Sequence, residues 1–213
     1  MPRIHVRSIA LLSLVVLSGC ASNPPARRIW VAPRVDLKQY ETIGMVEFTS
    51  TSKGELASLA TRRFAEAARR DQDMVRMIDI GSQKVALASV GQNRWSPESC
   101  RAIGSKHGVK TMFHGTLTIS SVRPSVQVST MFRSGGVSAQ VDAELEVQMF
   151  ETETGASIWS RSATATRTLG GVTAFGGKDF AFNAADPESA YGELDDALVS
   201  QVARDLQGSW QTQ

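Results

Sequence analysis

The sequence predicts an α+β fold: a mixed, mostly antiparallel sheet packed with helices on one or both faces. Three observations point there. Residues 137–149 alternate between apolar and polar side chains, the two-residue period of a half-buried strand. Residues 55–70 and 187–206 repeat their apolar positions every three to four residues, as amphipathic helices do. Short apolar runs at 43–48 and 75–80 flank the first helix and read as strands.

Taken in order, residues 43–48 (IGMVEF) form a buried strand and residues 49–54 a polar turn. In the helix at 55–70, Leu56, Leu59, Ala60, Phe64 and Ala67 share one face. Arg62, Arg63, Arg69 and Arg70 lie towards its C-terminal end, where the helix dipole favours cations. A strand at 75–80 (VRMIDI) and a short helix at 82–90 follow. Ser96-Pro97-Glu98 opens another helix, with Ser96 as N-cap, Pro97 in the first position and Glu98 in the first turn. It runs to about His107, and Gly108 is the expected left-handed stop. Residues 110–120 (KTMFHGTLTIS) return as a strand.

From 122 to 132 the even positions are Val122, Pro124, Val126, Val128, Thr130 and Phe132. From 137 to 149 the phase flips to Val137, Ala139, Val141, Ala143, Leu145, Val147 and Met149. Two strands are expected to flank a two-residue turn at Gly135-Gly136. That turn sets Phe132 opposite Ala139, Val128 opposite Ala143 and Val126 opposite Leu145, so apolar residues meet on one face. A three-residue loop would set Arg133 against Val137 and mix the faces. Residues 151–155 (ETETG) make the next turn, and residues 156–169 a strand rich in Ser, Thr and Ala. Residues 170–185 are a glycine- and phenylalanine-rich loop or hairpin. Asp186-Pro187-Glu188 caps the last helix, whose face is Tyr191, Leu194, Leu198, Val202 and Leu206 and which ends near Gly208. The expected order is β-α-β-α-α-β-β-β-β-α.

The N-terminus carries a different signal. Arg3 and Arg7 sit in a short leader before the apolar run at 8–17 (SIALLSLVVL). That run is about ten residues, against the ~20 a membrane-spanning helix needs. Basic leader, short apolar core and small residues describe a signal peptide at 1–19, excluded from the fold. It closes on Leu17-Ser18-Gly19-Cys20, which resembles the lipobox of bacterial lipoproteins. The resemblance implies a diacylglycerol thioether on Cys20, cleavage before it, and acylation of the freed amine. One acyl chain holds a protein marginally, and two or three hold it stably. The resemblance also implies an outer-membrane anchor facing the periplasm, because Ala21 stands where an aspartate would signal inner-membrane retention. Residues 20–39 are then a lipidated tether, kept extended by Pro24, Pro25 and Pro33. Residues 40–210 are a single periplasmic α+β domain of roughly 170 residues, ordinary single-domain size. Within the tether, Ile29, Trp30 and Val31 either dock on the domain or place Trp30 at the lipid interface.

Composition narrows the function. The 213 residues are 42% hydrophobic and 21% charged, as in an ordinary globular protein rather than a disordered one. The formal charge is +2, and loss of Arg3 and Arg7 with the leader leaves a neutral chain. Nucleic acid is therefore not an expected partner. With Cys20 acylated, only Cys100 remains, so an internal disulfide is not expected.

Neither H-E-x-x-H nor G-x-S-x-G occurs, nor paired cysteines at metal spacing, so no catalytic or metal residues and no cofactor are expected beyond the lipid on Cys20. His107 and His114 read as structural, and Cys100 as core packing. Asp142, Glu144 and Glu146 share one strand face, a solvated surface or a cation-binding one. The four helix arginines read as a solvated face or an anion-attracting one. Phe175, Phe180 and Phe182 make the 170–185 segment either a hairpin tip or a candidate interaction loop for a membrane or a neighbouring subunit.

The layout resembles the periplasmic domain at the N-terminus of TolB. It also resembles the lipoprotein families of the curli secretion channel (CsgG type) and the penicillin-binding-protein activators (LpoB type). The resemblance rests on residues 43–48, the helix from Glu55, residues 75–79, Gly108-Val109-Lys110 with Gly115, and Thr154-Gly155 before Ile158-Trp159-Ser160. It covers about 40 to 210. It implies a non-enzymatic module that scaffolds, assembles or activates an envelope complex. A ring-forming subunit of a polymer or polypeptide export system is the alternative, and a hydrolase the weakest one. Fold alone does not choose between them.

Overall fold

The computed structural model describes residues 27–126, 137–170, 172–175 and 179–212. The chain enters on strand β1 (Arg28–Val31), makes a 3-10 turn at Leu37–Gln39 and starts the main sheet with β2 (Thr42–Glu47). Short strands β3 (Thr49–Ser50) and β4 (Lys53–Gly54) lead to helix α1 (Leu56–Arg69). Strand β5 (Arg76–Ser82) and helices α2 (Gln83–Ala88) and α3 (Pro97–His107) follow. Three long strands come next: β6 (Thr111–Val126), β7 (Val137–Glu151) and β8 (Ser157–Gly170). Strands β9 (Val172–Phe175) and β10 (Asp179–Phe182), helix α4 (Pro187–Val202), a 3-10 turn at Ala203–Leu206 and strand β11 (Ser209–Thr212) complete the chain.

The main sheet runs β5-β2-β6-β7-β8. β2 pairs parallel with β5 and β6, and the long strands pair antiparallel. This is the mixed α+β sheet that the sequence predicts. Two crossovers build its parallel part. Helix α1 carries the chain from β2 to β5, and α2 with α3 carry it back past β2 to β6. The two connections travel in opposite directions along the sheet, so under the right-handed rule for parallel crossovers they cover opposite faces. A large core accordingly lies between the sheet and α1 with α4, around Phe64, Phe113, Leu145, Tyr191 and Leu198. A smaller one lies under α2 and α3, around Val46, Cys100, Ile103 and Met112.

The helix ends follow their local chemistry. Ser96 and Ser99 exchange side-chain and backbone hydrogen bonds in a capping box, and Gly108 stops α3 at φ 64°. Asp186 accepts from the Ser189 amide to cap α4. Arg63 clamps α1 to α4, donating to Glu188, Asp196 and the Gly192 carbonyl.

The structure corrects four expectations. First, residues 111–126 are one strand, not two. The register shifts between Ile119 and Ser121, where Ser120 is the extra residue of a bulge. Inward positions are odd up to Ile119 and even from Val122, so the bulge reads in the sequence as a strand break. Second, Val126 faces Val137 rather than Leu145, Pro124 faces Ala139, and Ile119 faces Ala143. The two registers differ by an even number of residues, so both put apolar side chains on one face, and a two-residue period does not distinguish them. The expected turn at Gly135-Gly136 and the position of Phe132 lie outside the described residues. Third, the folded part begins before residue 40: β1 pairs with β11, and Leu37 is fully buried in the main core. Fourth, the last α-helix ends at Val202 rather than near Gly208, and the stretch past Gly208 is strand β11.

Candidate functional site

Helices α1 and α4 run in the same direction and give the domain two ends. Both begin beside β10, where the Glu55 amide donates to the Phe182 carbonyl at 2.7 Å. Both finish towards β11, where Gln207 Nε2 donates to the Ala67 carbonyl at 3.0 Å. The first is the hairpin end, and the second is the end from which the chain leads back to Cys20. We call the second the anchor end.

At the anchor end, β1 and β11 form a separate antiparallel ribbon with Trp30 opposite Trp210. The two rings sit 5.4 Å apart at a 58° tilt. Trp30 lies against the backbone of Gly208, where a side chain would clash. Gln72, 1% exposed, ties the ribbon to the domain. Its Oε1 accepts from the Leu37 amide at 2.9 Å, and its Nε2 donates to the Val35 and Leu206 carbonyls at 2.8 and 2.7 Å. The Asp205 carbonyl accepts from the amides of Arg34 and Val35, while its carboxylate meets Arg34 and Arg161. Ile29, Trp30 and Val31 thus belong to a ribbon docked on the domain.

At the hairpin end, β10 lies between β4 and β9. Phe182 is fully buried against Tyr191, with ring centroids 5.6 Å apart. Phe180 is partly buried on the same core. Phe175 pairs through its backbone with Asp179. The expectation that all three phenylalanines form an interaction loop is therefore corrected at Phe182. Its ring fills the gap between the α1 and α4 starts, and no partner can reach it. Beside Phe180 lies a cleft of about 370 Å³ between Thr51–Lys53 and the bulged stretch Ser120–Val122. Here β6 runs past β3, whose pairing ends at Leu117.

The titratable residues singled out from the sequence take up structural places. His114 stacks on Trp95 at 4.5 Å, and burial pushes its pKa down to about 4. Burial pushes the Cys100 thiol up to about 11 in the smaller core. Hydrogen bonds from Ser121, then Thr166, with Arg123 alongside, hold Asp142 below the usual carboxylate range. Glu144 and Glu146 stay exposed on the same strand face. No cluster of metal-ligating side chains occurs among the described residues. Arg63 turns to α4 while Arg62 and Arg69 line a groove with Glu47, Glu66 and Asp79, so the four arginines do not form one patch. Cys20 lies outside the described residues.

Sequence reasoning missed Trp210 as the partner of Trp30, because a four-residue strand carries too little periodicity. It also missed Asp195, fully buried on α4 with both carboxylate oxygens unpartnered. Its place was legible, four residues after Tyr191 on the buried face, but its polarity argued against burial.

No protein-family model matches the chain. No curated protein sequence matches it either. Solved structures with partial likeness include lipoprotein domains. The PelC dodecamer from Paraburkholderia phytofirmans is 13% identical with a TM-score of 0.43, covering 85% of this chain and 97% of that one. The LpoB C-terminal domain from Escherichia coli is 12% identical with a TM-score of 0.38, covering 64% of this chain and 96% of that one. Lipoprotein GNA1162 from Neisseria meningitidis is 13% identical with a TM-score of 0.35, covering 60% and 83%. Activity, partners and assembly do not follow from likeness at this level. Among the described residues no helix is long and apolar enough to cross a membrane.

Proposed function

We propose that this protein is an outer-membrane lipoprotein, anchored through acylated Cys20, whose periplasmic domain is a non-catalytic scaffold, assembly or activator module of a cell-envelope complex. The observation that carries the reading is the Leu17-Ser18-Gly19-Cys20 ending placed so close before the folded chain. From Cys20 to Arg28 the backbone reaches at most ~28 Å even when fully extended. An acylated Cys20 therefore keeps the anchor end near the bilayer and leaves the hairpin end to partners. The non-catalytic part is supported by where the reactive groups sit: the Cys100 thiol is buried and protonated, and His114 is neutral under Trp95. Metabolic labelling with a clickable fatty acid tests the anchor. Label on the natural protein and none on Cys20→Ser is expected; equal label on both would overturn the reading.

One observation favours a second reading, a ring-forming export subunit. Among the described residues, the three long strands leave two free edges, the outer side of β8 and the stretch of β6 beyond its β3 pairing. Exposed edges recruit strands from other chains. Native mass in detergent separates the two readings: a single monomer peak supports the first, and a defined oligomer the second.

A further inference from the structure

We propose that the anchor end is a bilayer-contact face, with the Trp30–Trp210 ribbon lying in the headgroup layer of the membrane that holds Cys20. The proposal rests on the lipid-anchor reading and adds an orientation to it.

The distribution of exposed apolar side chains argues for this. Six large ones are exposed among the described residues: Trp30, Val31, Met74, Val85, Ile158 and Trp210. Five of them lie at the anchor end. Trp30, Val31 and Trp210 are on the ribbon. Met74 precedes β5, and Ile158 begins β8, where those strands start beside Thr42 and Phe150. Val85 alone lies elsewhere, on α2. Met74 is 98% exposed and Trp210 65%, so the fold gains nothing from burying them. Single exposed apolar residues need no explanation, but a collection at one end of a domain marks a contact surface.

The occupant follows from the chain. Ten residues separate Trp30 from Cys20, a reach of at most ~36 Å, so an acylated Cys20 confines this end, and no other, to the vicinity of lipid. Indole rings favour the membrane–water interface, where the ring is shielded and its N–H stays hydrated. Part of the charge at this end is compensated: Lys38 pairs with Asp73, Lys110 with Glu41 and Arg34 with Asp205, while Arg28 on the ribbon stays exposed. The two indoles make an interfacial contact that does not depend on charge, so it should persist at high salt, where any contribution from Arg28 is screened.

The test uses the full lipidated protein in vesicles of phosphatidylethanolamine with a minor share of phosphatidylglycerol. A fraction of the lipid is brominated near the headgroup, and the readout is quenching of indole emission. Trp95 and Trp159, both partly buried in the domain, serve as internal references. Quenching is expected in the natural protein, persisting at high salt, and lost in the double variant Trp30→Ser, Trp210→Ser. A Trp30→Tyr, Trp210→Tyr variant keeps an aromatic ribbon and should lose the quenching while keeping the melting profile. Absence of quenching with the fatty-acid label present on Cys20 would overturn the bilayer face and leave the anchor standing. Absence of the label would overturn both. Concentration-dependent shielding of the indoles without lipid quenching would mean that a second copy covers the ribbon, which also overturns the proposal.

Discussion

At the scale of single residues, the most consequential group is Asp195. Desolvation pushes its pKa up to about 8; Glu188 and Asp196 push the same way, and Arg63 opposes them. In the unfolded chain the same group titrates near 3.8. The folded state thus holds the proton more tightly, and stability present below about pH 4 is lost as pH rises through about 8. By linkage the loss has an upper bound of roughly 6 kcal/mol. Thermal melts across that range should show the midpoint of the natural protein falling with pH, while Asp195→Asn stays nearly flat. Parallel profiles for the two would contradict the burial. Phe182 makes the second residue-scale prediction. A ring fully buried against Tyr191 belongs to the core, so Phe182→Ser should cost ~3–5 kcal/mol of stability. An unchanged denaturant midpoint would return Phe182 to the surface.

At the scale of elements, the bulge in β6 is the decisive device. Ser120 lets one strand present Phe113, Gly115, Leu117 and Ile119 on one phase, then Val122 on the other, against a β7 that alternates without interruption. Deleting Ser120 would turn everything beyond it to the wrong face. The variant should lose cooperative unfolding, or its amide protection in β6 and β7 should drop, as read by hydrogen exchange; native-like protection throughout would mean that the bulge has no such role. The same strand shows how far the sequence could be read. α1, α3 and α4 were legible because their caps and apolar faces are local: Ser96, Gly108 and Asp186 each act within one turn. The face of β7 was legible for the same reason. The pairing partner of Val126 was not, since register depends on a turn and a bulge that alternation alone does not locate. The Trp30–Trp210 pair was hidden because it joins the two ends of the chain.

At the scale of the whole molecule, the domain has two ends. Parallel helices α1 and α4 span it, the ribbon closes one end, and β10 with the long strands makes the other. Of the candidate site, the proposed anchor at Cys20 rests on the sequence alone, where its signal is linear. The sequence placed three phenylalanines in one loop, and the fold buries Phe182 fully and Phe180 partly. The central claim is that Cys20 is the acylated first residue of the mature protein. Mass spectrometry of the N-terminal peptide, from protein extracted with detergent from native membranes, tests it directly. The account predicts a peptide beginning at Cys20 and carrying two or three acyl chains. A peptide that begins elsewhere, or an unmodified Cys20, would contradict it.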